Sequence, residues 1–213
     1  MLKLYLDNCC YNRPFDDLEQ EKINLEANAV ENIFRKHINK EVEIYKSMAI
    51  DFEISKIKSE NKRRQVEDLY DSMELKEIDY SEEIKKRAIE LRQYNIKDMD
   101  SLHLAFAESK DVDYFITTDR LLINASKRAN LKIKVINPIE FIMEVIYMAV
   151  TVRELEKIRR EGLKALKDKL GVEGMIKFIQ MYSDGKGDYT KEKYENPEEL
   201  TIEDFEKFLA ENN

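Results

Sequence analysis

Short apolar runs recur along the first 150 residues, each followed by a longer stretch whose apolar residues fall three or four apart. Leu4-Tyr5-Leu6 leads and Val42-Glu43-Ile44-Tyr45 follows. Leu75 to Ile78, Asp113 to Thr118 and Ile133 to Ile136 complete the set. Runs this short read as strands, and those at Leu4 and Phe115 as strands covered on both faces. Between them, the spacing of Ile23, Ala27, Val30, Ile33, Phe34 and Ile38 predicts a helix over Glu19–Asn39. Further helices are predicted over Met48–Ser59 behind an N-cap at Ser47, over Lys62–Met73, and after an N-cap at Ser81. Met99–Lys110, Leu121–Asn130 and Glu140–Met148 add three more. Asn12 to Asp17 reads as a loop, because Pro14 pushes Arg13 out of the helical region. Strands alternating with helices predict an α/β fold with a mainly parallel sheet.

That pattern stops near Met148. All five glycines (Gly162, Gly171, Gly174, Gly185 and Gly187) lie after residue 150, and the first 150 residues have none. The predicted organisation is therefore a domain over residues 1–147 and a small helical segment over 148–213. In that segment Thr151–Leu170 reads as a helix ended by Gly171, Glu173–Tyr182 as a second, and Thr201–Asn213 as an amphipathic third. Between the last two, Asp184 to Asp188 reads as a turn, followed by Lys191 and Lys193. A helix, a glycine turn and a helix also suggest a DNA-binding unit, but the second helix carries a single basic residue, Lys177. So small a segment buries little alone, so it should dock in cis or on a second copy as a dimerisation element.

Composition narrows the function classes. A net charge of −8 excludes attraction of nucleic acid by the whole surface. No apolar run approaches the ~18 residues of a membrane span, and no secretory signal is visible, which predicts a cytoplasmic protein away from membranes. Cys9 and Cys10 are the only cysteines, so neither a disulfide framework nor a cysteine zinc site is available.

The candidate chemistry is acidic. Asp7 and Asp119 each follow a predicted strand, Glu53 lies on the helix after the second strand, and Asp100 heads the helix Asp100-Ser101-Leu102-His103. Ligands of open α/β sheets bind beyond the carboxyl ends of the strands, where a doubly wound sheet brings such residues together. Clustered carboxylates repel unless a cation neutralises them, and Mg²⁺ or Mn²⁺ suits oxygen ligands. Each acid also has a plainer reading: Asp7 as a helix cap, Asp119 as a turn opener, Asp100 as a first-turn charge, Glu53 as a solvent-facing residue. Asp51 competes with Glu53, and Asp98 with Asp100. His103 reads as a packed helix histidine, Arg13 as a contact to a substrate phosphate, and Lys56 to Arg64 as a solvated basic face.

The runs LYLDNCCYNRPFDD, FEISK and KDMDSLHLAFAESKDVDYFITTDRLL resemble the PIN-domain nucleases, and within them the VapC-type toxins of toxin–antitoxin pairs. The resemblance covers residues 1 to about 147. It implies a PIN-like three-layer α/β/α fold and metal-dependent endoribonuclease activity, with Asp7, Glu53, Asp100 and Asp119 holding Mg²⁺ or Mn²⁺. Thr118 would position Asp119 or the attacking water. The segment after 148 is similar to the short antitoxins encoded beside such toxins. That implies a partner acting in cis or in trans, restrained activity and a homodimeric assembly. Its Lys186, Lys191 and Lys193 are candidates to occupy the acidic cleft. A non-catalytic PIN-fold RNA-binding or scaffold protein is the alternative, and a phosphohydrolase with an aspartyl nucleophile is disfavoured because Asn8-Cys9-Cys10 follows Asp7.

Overall fold

The computed structural model describes residues 1–149, 152–184 and 201–212. The predicted turn at 185–188 and Lys186, Lys191 and Lys193 lie outside the described residues. Five strands form one sheet: β1 (Leu2–Leu6), β2 (Val42–Ser47), β3 (Lys76–Ile78), β4 (Tyr114–Ile116) and β5 (Lys134–Ile136). Their spatial order is β3-β2-β1-β4-β5 and every pairing is parallel. β1 and β4 are the central pair, and Leu4, Tyr5, Leu6, Phe115 and Ile116 are fully buried there. The edge strands β3 and β5 carry exposed Lys76, Glu77 and Lys134, which suits strands with one free side.

Helices fill every connection, as parallel strands require. They are α1 (Asn8–Asn12), α2 (Glu21–Ile38), α3 (Met48–Ser55), α4 (Glu60–Asp71), α5 (Glu82–Arg92), α6 (Asp98–Ser109), α7 (Arg120–Ser126) and α8 (Pro138–Ala149). Ser81 caps α5 by accepting from the Ile84 amide, as predicted, and Ser59 caps α4 through Lys62. Ser47 precedes α3 without a side-chain cap, because its hydroxyl is engaged by Tyr5. The predicted loop at 12–17 is instead a short helix and a 3-10 turn, with Pro14 early in that turn, where a missing N–H costs nothing. With no glycine in this part of the chain, Lys40, Asn95 and Asp111 take the left-handed positions after α2, α5 and α6.

Two compact units divide the chain: Met1–Phe141 with Glu198–Asn213, and Ile142–Pro197. The last helix, α10 (Ile202–Asn212), therefore belongs to the α/β unit, whereas the sequence pattern grouped it with the appendage. Fully buried Phe205 explains this, since its ring packs edge-on against Phe52 of α3, Phe106 of α6 and Tyr80. The second unit contains the helical segment α9 (Val152–Asp184), broken at Gly171. Gly171 takes φ 70° and ψ 176°, a region open essentially to glycine alone. Among the described residues no helix is long and apolar enough to cross a membrane.

Arg13 does not face a substrate. It is fully buried, its guanidinium bonded to Asp16 at 2.9 Å, to the Thr118 hydroxyl at 2.6 Å and paired with Glu26 at 3.1 Å. Three chain segments converge on this one cation. Replacing it by Met keeps bulk and leaves Asp16 to Lys62 and Glu26 to Lys22 and Asn137, so Arg13→Met should cost about 1.5–3 kcal/mol, the scale of lost hydrogen bonds to a charged group. Urea unfolding checks this, and a loss below about 1 kcal/mol would mean that the cation does not bind these segments together.

Candidate metal centre

The strand order reverses between β1 and β4, and this switch point opens a crevice at their carboxyl ends. Asp7 sits there, its amide donating to the Ile116 carbonyl at 2.9 Å as the last bond of the β1–β4 pairing. The residue occupies the N-cap position of α1, yet its side chain makes no cap bond. Its Oδ2 instead accepts from the Thr117 hydroxyl at 2.6 Å and the Cys9 thiol at 3.1 Å. The carboxylate is thus not spent on capping α1.

Glu53 and His103 reach the same place from α3 and α6. His103 Nε2 lies 3.1 Å from Glu53 Oε2, and its Nδ1 lies 2.8 Å from the Tyr5 hydroxyl. Burial works against a charged imidazole here, but the charge and hydrogen bond of Glu53, with Asp7 and Asp100 beyond, outweigh it and raise the His103 pKa. Donor atoms of Asp7, Glu53 and His103 all lie within 4.8 Å of one another. Ligands on opposite sides of a small divalent cation at about 2.1 Å would be about 4.2 Å apart, so small side-chain adjustments fit the three to one ion. The imidazole is fully buried, as a packed helix histidine is, and its Nε2 also meets the Glu53 carboxylate.

Asp100 and Asp119 flank this group without joining it. Asp100 is buried in the first turn of α6, close enough for its charge to act on His103. Asp119 caps α7, its Oδ1 accepting from the Leu121 and Leu122 amides at 2.8 and 3.2 Å. Of the competing acids, Asp98 pairs with Arg92 at 2.7 Å, and burial pushes the Asp51 carboxyl up, with Tyr70 and the charge of Lys46 opposing it. The positioning hydroxyl is Thr117, which donates to Asp7 and accepts from the Asp119 amide at 3.0 Å. Thr118 faces the other way and serves Arg13. In the basic stretch, Lys62, Arg63 and Arg64 form ion pairs with Asp16, Glu67 and Glu60.

No protein-family model matches the chain, and no curated protein matches it significantly. Among solved structures it is similar to a chain of VapBC2 from Rickettsia felis bound to a DNA fragment from their promoter. The two share 19% identity at a TM-score of 0.44, over 64% of this chain and 98% of that one.

The Thr117 hydroxyl joins Asp7 to the chain after β4, and its three partners, the Asp7 carboxylate, the Asp119 amide and the Cys9 thiol, lie in buried residues. Thr117→Val should therefore lower stability by about 1–3 kcal/mol with a chelator present. Urea unfolding reads the loss, and an unchanged midpoint would show that Asp7 is held by other contacts.

Proposed function

We propose that the chain is a Mg²⁺- or Mn²⁺-dependent endoribonuclease of the PIN type, toxin-like, with its activity restrained by its own C-terminal helix. One observation carries the catalytic part: Asp7, Glu53 and His103 converge at the switch point of an all-parallel sheet, with Asp100 and Asp119 beside them. The likeness of the Asp7, Glu53 and Asp100–Asp119 runs to PIN nucleases supports the same reading. A divalent cation here supplies an activated water and stabilises charge on the phosphate and the leaving oxygen. Asp7 and Glu53 would hold it, and Asp100 and Asp119 would add negative charge at the rim. Thr117 and Cys9 hold the Asp7 carboxylate in one orientation before substrate arrives.

The restraint rests on where α10 docks. Phe205 and Phe208 both lie against Phe52, the residue before Glu53, and the Ile202 amide approaches Asp98 at the start of α6. The helix is acidic, with four acids against one lysine between residues 201 and 212. Glu206 forms an ion pair with Lys85, and Asp204 is within electrostatic reach of Lys56. An acidic helix beside the cleft repels a phosphate backbone and occupies cations that would otherwise meet it.

Asp7→Asn keeps shape and removes a ligand charge. Metal-dependent cleavage of a fluorescent RNA should fall about 100-fold or more, the scale of losing one preorganised electrostatic contact. Thermal unfolding should be little changed. Cleavage at the parental rate would refute the metal-site assignment. Glu53→Gln should be more harmful than Asp51→Asn, and the reverse ranking would transfer the role to Asp51.

Phe205→Ala removes the anchor of α10, a change that costs about 3–5 kcal/mol at a packed site. Hydrogen exchange at Asp204–Leu209 should accelerate and RNA cleavage should rise. Faster exchange with equal or lower cleavage would show that the helix only covers an apolar face.

A further inference from the structure

Resting on the metal-dependent reading above, we infer that His103 is a direct nitrogen ligand of the bound cation, and that it makes the site select Mn²⁺ over Mg²⁺. A site of four carboxylates offers oxygen alone, which suits Mg²⁺ and Mn²⁺ alike. The donor group in this chain is different: two carboxylates and one imidazole. Mg²⁺ binds through oxygen in near-ideal octahedral geometry, whereas borderline first-row ions also accept imidazole.

The surroundings of His103 are those of a ligand rather than of a filler. Its Nδ1 is held by the Tyr5 hydroxyl, which also bonds the Ser47 hydroxyl. All three side chains are buried, and Tyr5 is further fixed by stacking on Phe115 with ring centroids 5.5 Å apart. The Tyr5 phenol carries a single proton to donate. It can donate that proton to Ser47 Oγ while accepting one from His103 Nδ1. Nε2 faces Glu53 Oε2 at 3.1 Å as a hydrogen-bond donor, and a cation seated between them would displace that proton and take the Nε2 lone pair while hydrogen stays on Nδ1. A second ring nitrogen bonded to a fixed partner is the usual support of a metal-binding histidine. The opposing account is that His103 only pairs with Glu53 and never touches an ion.

The two accounts separate in the full chain loaded with Mn²⁺ alone and read by pulsed electron paramagnetic resonance. A ligated imidazole nitrogen should give ¹⁴N modulation on bound Mn²⁺. His103→Gln places an oxygen or amide near the former Nε2 and should abolish that modulation. It should weaken Mn²⁺ at least about tenfold and Mg²⁺ less than about threefold, as a change of donor type predicts. Tyr5→Phe keeps the ring stack and removes the support of Nδ1, and should weaken Mn²⁺ about 10- to 100-fold without abolishing modulation. Thermal unfolding of both variants with chelator present identifies any loss due to misfolding, and Tyr5→Phe remains informative should His103→Gln fail to fold.

Mn²⁺ bound with no ¹⁴N modulation would overturn the ligand assignment and leave the nuclease reading standing. Modulation present but with Mg²⁺ and Mn²⁺ weakened equally by His103→Gln would overturn the selectivity. Failure of both ions to bind the parental chain would overturn this inference and the metal-dependent reading together.

Discussion

The pairing of β1 with β4 holds Asp7 against Thr117, and the rest of the candidate centre is built outward from that contact. The register sets Leu6 opposite Ile116, so the next residue on each strand leaves the sheet at the same level. Asp7 emerges with its amide tied to Ile116 and its carboxylate tied to Thr117. A slip of one residue would turn Thr117 to the other face and leave Asp7 to cap α1. The cores on both sides of the sheet prevent that slip, since Leu4, Leu6 and Phe115 are all fully buried. The same register places Asp119 to cap α7, because Thr117 also accepts the Asp119 amide. Backbone pairing, two hydroxyl bonds and one cap thus place two acids with no flexible element between them.

The elements were legible because each has a local cause. Apolar runs and three-or-four spacing announce strands and helices within their own sequence, and Ser81 caps α5 by contacts three residues away. The acids at strand ends were legible for a related reason: hydrophobicity stops where the chain leaves the sheet, and ligand crevices lie there. What was not legible depends on partners far along the chain. Thr117 and Thr118 are adjacent, and only the register with β1 decides which faces Asp7. Arg13 looked available on a loop, but Glu26 and Thr118 close over it from two other elements. The polar contacts of His103 were not legible because Tyr5 and Glu53, which engage it, lie 98 and 50 positions earlier.

The C-terminal helix shows the same limit at larger scale. Glycine placement marked a change of character near residue 150, and Gly171 does break α9. Nothing local said that the chain would return after residue 200 to the α/β unit. The return seats Phe205 edge-on among three aromatic rings, Phe52, Tyr80 and Phe106. Those rings belong to α3, α6 and the chain leading into α5, so that seat exists only once the sheet has assembled.

Docking of α10 need not be strong to be complete. Ile202, Phe205 and Leu209 are its buried residues, and each fully buried side chain of this kind contributes about 1.5–3 kcal/mol before ordering costs. A free helix with a net affinity near 10 μM, about −6.8 kcal/mol, would be largely unbound at micromolar concentration. Held on the same chain, it meets its groove at an effective concentration in the millimolar range, about a thousandfold higher. Covalent connection therefore turns a weak contact into an occupied one, and leaves it weak enough to yield. The acids of α10 meet Lys85 and Lys56, so the docked helix occupies two cations of the α/β unit. The apolar residues set where α10 binds, and its acids set which cations it covers.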